Sequence, residues 1–337
     1  MRAFEIRKTF GLDALTLTER PDPSPGPGHV LVRVRAASIN FRDLATVQGV
    51  YNPKQPLPLI PLSDGMGEVV RLGDGVTRVK VGERVAGSFF QRWISGAPDK
   101  AKLLSALGGP LDGMLADHIV LHEDGVVVVP SHLTDEEAAT LPCAAVTAWR
   151  ALVELGGLRA GDTLLVLGTG GVAIFALQFA RMLGARVIVT SSSDQKLERA
   201  RALGAAEAIN YKTTPDWEKK ARQLTGGVGV DHVLEVGGGE TFPRSVRATR
   251  IGGHISLIGG LTGLSTEVNL ATILMQNIRV QGFIVGSRET FETMNRAIAL
   301  NQLRPVVDRV FPFAESRAAF EHMAGQSHFG KIVVRID

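Results

Sequence analysis

The chain has 337 residues, 45% of them apolar and 21% charged, with a net charge of +3. That length and apolar share suit two separately cored domains, and no run reaches the roughly eighteen apolar residues of a membrane span. Basic residues are scattered, which argues against a nucleic-acid partner, and a single cysteine rules out an internal disulfide and suits a reducing cytoplasm.

From Ala3 to about His122 the pattern is mainly β. The opening Met1-Arg-Ala-Phe-Glu-Ile reads as a strand, not as a signal peptide. Val30-Leu-Val-Arg-Val-Arg-Ala alternates with period two, and Gly67-Glu-Val-Val-Arg-Leu and Arg84-Val-Ala-Gly read as further short strands between Gly and Pro punctuation. Such a series predicts a barrel or sandwich. His118 and His122 fall in strand-like sequence, so they read as surface or packing histidines and not as a metal pair. From about Thr134 the pattern changes to alternating helix and strand. Asp135-Glu-Glu-Ala-Ala and Ala145 to Leu155 read as helices, and 163–167, 186–191, 206–209, 231–236, 253–258 and 279–284 as strands. This alternation predicts a parallel sheet of βαβ units.

The strand at 163–167 runs into Gly168-Thr169-Gly170-Gly171-Val172-Ala173, a G-x-G-x-x-A turn that opens an apolar-faced helix. Between strand and helix this fingerprint has a mechanism. Gly168 permits the tight turn, Gly170 lets backbone approach a pyrophosphate, Ala173 keeps helix and strand close, and the helix N-terminus offers N–H groups to phosphate. The next strand ends about twenty residues on, where a protein selecting NAD usually places an acid. Here stand Ser191, Ser192 and Ser193, with Lys196, Arg199 and Tyr211 following. Hydroxyls and N–H groups can donate to a 2′-phosphate that a carboxylate would repel, so the expected cofactor is NADP(H). Lys196 and Arg199 could equally be solvated helix charges. Asp194 reads as the N-cap of the helix from Gln195 to Leu203. The tail mixes helices (289–300, 314–324) with strands (306–311, 330–336), and the sheet is complete by about 285, so the tail is expected to return to the first domain.

In its N-terminal β-rich domain, the run Leu141-Pro-Cys-Ala-Ala-Val-Thr-Ala-Trp149, the glycine turn and the ending Gly330-Lys331-Ile-Val-Val, the chain resembles a medium-chain dehydrogenase/reductase. The resemblance implies an α/β fold: a GroES-like β-rich catalytic domain over 1–125 and 287–337, and a Rossmann doubly wound parallel-sheet domain over 126–286. It also implies a small-molecule substrate and a homodimer built on the strand near Ile278–Ile284. The family's catalytic zinc needs a Cys, a His and a second Cys. The matching positions here are Asn40, Ser63 and Cys143, and an amide and a hydroxyl do not replace thiolate and imidazole. The four-cysteine structural lobe cannot be formed, and 89–113, with Phe89, Phe90 and Trp93, stands in its place. That stretch reads as a substrate-shaping loop, or else as an insertion packing on itself. The expectation is therefore a zinc-independent reductase of quinones, enones or related carbonyls. The alternatives are a zinc-free alcohol dehydrogenase and a weakly catalytic NADPH-binding protein.

By the same resemblance Asn40 lies beside the nicotinamide ribose, though it also suits a structural turn. Asp43 anchors that loop. Tyr51 either donates to a substrate carbonyl or packs. Thr147 flanks the nicotinamide, Gly259 meets the cofactor through backbone, and Phe283, Ile284 and Val285 line the carboxamide. Gly330 and Lys331 return to the cofactor phosphates. Ser287 reads as a helix cap.

Overall fold

The computed structural model describes every residue from Met1 to Asp337. The chain divides into two compact units, Thr147–Ile284, and Met1–Val146 together with Val285–Asp337. No helix is long and apolar enough to cross a membrane.

The unit Thr147–Ile284 holds a six-stranded, wholly parallel sheet. Its order is Glu207–Asn210, Arg186–Ser191, Thr163–Leu167, Val230–Glu235, Thr249–Leu257, Arg279–Gly282. The chain steps outward from Thr163–Leu167 in one direction, then returns to its other side at Val230–Glu235. That reversal is the switch point at which ligands bind in open α/β sheets, outside the carboxyl ends of the strands. Leu164, Leu165 and Val166 are fully buried, as a continuous apolar run should be in a sheet covered on both faces. The last strand ends at Gly282 and not at 284, and Phe283 adds only one more bond, from its N–H to Leu257 O (3.3 Å). It is an edge strand with little buried surface to extend it.

In the other unit the eleven-residue strand His29–Ile39 is central. Val30, Val32 and Val34 point into the core, as the period-two pattern requires. Lys331–Arg335 pairs antiparallel with it on one side and Asp64–Leu72 on the other. The sheet continues through Arg84–Gly87 to Val126–Val128. This last pairing shifts the expected boundaries. Residues 126–146 belong to the β-rich unit, which ends at Val146 and resumes at Val285, not at 125 and 287. The tail returns as expected, and its register sets Ile332 opposite Ile39. Lys331 is thereby delivered to the end of the central strand, beside Asn40.

The stretch 89–113 packs on itself. Phe89, Phe90 and Trp93 are all buried, with ring centroids 4.6 and 5.7 Å apart along the series, and Trp93 Nε1 donates to Gly96 O (2.9 Å). Three large apolar rings gain more from burial than from presentation to solvent.

Candidate active site

Gly168 follows the central strand Thr163–Leu167 with φ +80°, a conformation that favours glycine. Its N–H donates to Thr190 O (3.0 Å), tying the turn to the end of the next strand. The twelve-residue helix Gly171–Met182 begins at Gly170, and no side chain caps its first N–H groups. Those donors and the positive end of the dipole suit a phosphate. Thr169 is buried, and Ala173, also buried, allows the close helix–strand approach. At Gly259 a Cβ would lie 2.7 Å from Val236 O, so the strand end it occupies admits no side chain.

One residue of this rim was not foreseen. Glu235 ends the strand across the switch point, is fully buried, and accepts from Gly237 N (2.8 Å), Gly238 N (2.9 Å), Thr241 Oγ1 (2.6 Å) and Ser245 Oγ. It holds the 236–241 loop shut against the strand. A lone acid at a strand end carried no sequence signal for that role.

The serine run begins at Ser191, the last residue of the strand Arg186–Ser191. Ser191 is buried, and its Oγ accepts from Ser193 N (3.3 Å). The helix runs Asp194–Ala202, and its cap is Ser193, whose Oγ accepts from Lys196 N (3.4 Å). The expectation of Asp194 as cap is thus corrected by one residue. Asp194 sits in the first turn, where its carboxylate complements the helix dipole and accepts from Asn210 Nδ2 (2.8 Å). Ser192 and Lys196 are half-buried, and Tyr211 is exposed with its N–H on Ser191 O (3.0 Å).

Thr147 is buried at the start of the same unit. Three residues on, Arg150 donates to Ile284 O (3.0 Å) and lays its guanidinium 5.4 Å from the Phe283 ring centroid. Phe283 and Ile284 are therefore fixed by a cation on the helical segment that carries Thr147, a link that sequence reading missed. Val285 falls in the β-rich unit with φ +35°, a strained conformation for a β-branched residue.

The β-rich unit has its own polar cluster, assembled from four separated stretches. Asn40 precedes the helix Phe41–Val47, and its N–H donates to Asp43 Oδ2 (2.8 Å). Asp43 Oδ1 accepts from Ser63 N (3.3 Å) and from Arg42 (3.1 Å), so Asp43 anchors the loop as expected. Ser63 Oγ donates to Asp64 Oδ1 (2.8 Å), and Cys143 N donates to Asp64 Oδ2 (3.1 Å). Asn40 Nδ2 reaches Ser63 Oγ at 3.4 Å. Lys331 is almost fully buried. Its ammonium donates to Ile39 O (2.9 Å) and Asn40 Oδ1 and lies 3.8 Å from Asp64 Oδ2. The preceding Gly330 has φ +85°, and a Cβ there would meet Val306 O at 2.5 Å.

Burial pushes the Asp64 carboxyl up to about 6, with Asp43 adding to the rise and Lys331, Asn40 and Ser63 opposing it. Burial and then Asp64 push the Cys143 thiol well above its ordinary range. Two carboxylates, Asp43 and Asp64, thus face two cations, Arg42 and Lys331. No three His, Cys, Asp or Glu gather in a metal-ligand arrangement.

Tyr51 is exposed, and its ring lies 5.1 Å from the Arg42 guanidinium, which also donates to Leu107 O and Gly109 O (both 2.9 Å). Arg42 thereby connects Tyr51 to the loop anchored by Asp43. His118 and His122 lie on a strand, as expected. Ser287 caps the helix Arg288–Asn301 by accepting from Thr290 N (3.2 Å).

Residues 26–131 match the alcohol dehydrogenase GroES-like domain, and residues 171–299 match the zinc-binding dehydrogenase family. A zinc-type alcohol dehydrogenase-like protein of Schizosaccharomyces pombe is 45% identical over 91% of both chains. Among solved structures, an NAD-dependent alcohol dehydrogenase superposes with a TM-score of 0.90 at 34% identity, covering 100% of each chain. A mycobacterial protein complexed with NADPH superposes at 0.83 and 26% identity, again over 100% of both chains.

Proposed function

Since the chain belongs to the medium-chain dehydrogenase/reductase family of oxidoreductases, we propose that it is a zinc-independent, NADP(H)-dependent member. In this reading it transfers hydride from NADPH to a quinone, an enone or a related carbonyl. The observation that carries the reading is the cluster around Asn40, Ser63, Asp64 and Cys143. It offers an amide and a hydroxyl where zinc needs imidazole and thiolate, and Lys331 already neutralises its carboxylate. Asp64 and Cys143 alone do not make the three ligands a divalent cation needs, and the carboxylate is already compensated, so these residues do not fit a catalytic zinc. A quinone or enone spreads developing negative charge over a conjugated system and has less need of a Lewis acid than a simple carbonyl.

The nucleotide unit suits a dinucleotide. Gly168, Thr169, Gly170, Gly171 and Val172 form the phosphate turn, and Gly259 brings bare backbone to the rim. Thr147, Phe283, Ile284 and Val285 are assigned to the nicotinamide, Asn40 to its ribose, and Gly330 to the approach of the tail. Ser191, Ser192, Ser193, Lys196 and Tyr211 support a 2′-phosphate, since no acid stands at that strand end. Bound nicotinamide supplies the hydride. The chain's share is to orient it, exclude water, and offer Tyr51 as a donor to the substrate carbonyl.

A homodimer is supported by the exposed edge strand Arg279–Gly282 and by the exposed Leu270, Leu274 and Met275 on the neighbouring helix. The cysteine content supports a cytoplasmic setting. Alcohol oxidation is the second reading, favoured by the likeness to the alcohol dehydrogenase-like protein of Schizosaccharomyces pombe and to the NAD-dependent alcohol dehydrogenase structure. Rates with NADPH and NADH across quinones, enones and aldehydes, and with NADP+ and NAD+ across alcohols, separate the two. Faster turnover of NADPH with conjugated acceptors is expected, and turnover confined to alcohols with NAD+ would overturn the proposal.

A further inference from the structure

The resemblance returns Lys331 to the cofactor phosphates, whereas its ammonium is buried in the β-rich unit and bonded to Ile39 O and Asn40 Oδ1. We propose that Lys331 is a positioning residue that fixes the Asn40 amide with its carbonyl oxygen on the ammonium and its amino end turned away from it, where a ligand oxygen can take the place of Ser63 Oγ. This rests on the reading that Asn40 meets the cofactor, and it names the polarity of that contact.

An asparagine amide has an acceptor end and a donor end of nearly the same shape, so only its neighbours decide which way it points. Lys331 is a donor only, and its ammonium faces Asn40, so the carbonyl Oδ1 must turn to it. The amino end then faces Ser63 Oγ and the Asp64 carboxylate, an acceptor. A fixed cation on one side and a fixed anion on the other leave the amide a single stable orientation. Neither fixture can drift. Lys331 is buried, bonded to Ile39 O, and held by the register that sets Ile332 opposite Ile39. Asp64 is held by Ser63 Oγ and Cys143 N, and the Asn40 backbone by Asp43.

The Asn40 contact to Ser63 is 3.4 Å long, near the limit of a useful hydrogen bond. A ribose hydroxyl oxygen or a carbonyl oxygen could better it as acceptor. The ammonium thus stands among the positions where metal-dependent relatives would carry their zinc ligands. It does by hydrogen bonding what a metal would do by ligation, holding the first of those residues in place.

NADPH binding to the full-length, chelator-treated chain, followed by cofactor fluorescence alongside thermal melting, tests this. Asn40→Ala should weaken NADPH about tenfold, the loss of one hydrogen bond. Unchanged affinity would end the reading that Asn40 touches cofactor, and the inference with it. The exchange Asn40→Asp/Asp64→Asn keeps the charge count and the Lys331 pair but removes the donor at position 40. It should melt near the parent and bind NADPH as weakly as Asn40→Ala. Parental affinity in that exchange, with affinity lost in Asn40→Ala, would overturn the polarity while leaving the contact standing. Lys331→Met/Asp64→Asn leaves no buried charge unpaired and frees the amide to turn. A folded double variant with parental affinity would likewise overturn the role of Lys331.

Discussion

The glycine turn of the nucleotide unit and the Asn40–Asp64–Lys331 cluster of the β-rich unit are built on opposite principles. The turn is one contiguous stretch, made of backbone, and its donors are offered outward by a helix end. The cluster is made of side chains from four distant stretches, and its charges are turned inward and balanced against one another. The contrast teaches where each is vulnerable. The turn fails through shape, whereas the cluster fails through charge left unpaired in a buried place.

Lys331→Met is therefore expected to have the largest effect on folding. It strands the Asp64 carboxylate and should lower stability by about 3–5 kcal/mol in urea unfolding. A loss as small as that of an exposed lysine would erase the contrast. Glu235→Gln, on the nucleotide side, puts an amide against donors and should lower stability by about 2–3 kcal/mol. An effect matching Lys331→Met would show that the nucleotide rim also depends on buried charge. Ser192→Asp places a carboxylate where a 2′-phosphate is expected. It should shift the ratio of NADPH to NADH affinity by about tenfold toward NADH without moving the melting temperature.

His254 gives the nucleotide unit a pH dependence of its own. Burial, with Arg279 and then His232 adding to it, holds His254 down to about 4. Its Nδ1 accepts from Arg279 Nε (2.8 Å), which requires the ring to be neutral there. The unfolded chain takes up a proton near the ordinary histidine value while the folded chain does not, so stability is complete above about 6.5 and is lost as pH falls toward 4. His254→Asn should flatten that slope in denaturation curves between those pH values. The smallest effect belongs to Lys196→Met, which should change stability by less than about 0.5 kcal/mol while weakening NADPH.

The contrast also explains what the sequence disclosed. The βαβ alternation, the turn at Gly168 and the return of the tail were legible because period and glycine placement are local signals. The cap moved from Asp194 to Ser193 because both residues favour that position and only backbone geometry chooses between them. The domain boundary moved because the pairing of Val126–Val128 with Arg84–Gly87 is long-range. Asn40, Ser63 and Cys143 were visible as departures from a zinc set, but nothing in Gly330-Lys331 announced a buried ammonium. That contact exists only through the register of Lys331–Arg335 on His29–Ile39. Arg150 went unseen for the same reason, since it acts on Ile284, far along the chain, whereas Glu235 acts on a loop within ten residues and went unseen because a lone acid at a strand end has no local pattern.

The most direct test of the account is turnover of NADPH with a conjugated acceptor after exhaustive chelation, with metal content measured on the same sample before and after zinc is offered. The account expects full activity in the chelated protein and no zinc retained through gel filtration. Activity lost on chelation and restored with one zinc per chain would contradict it.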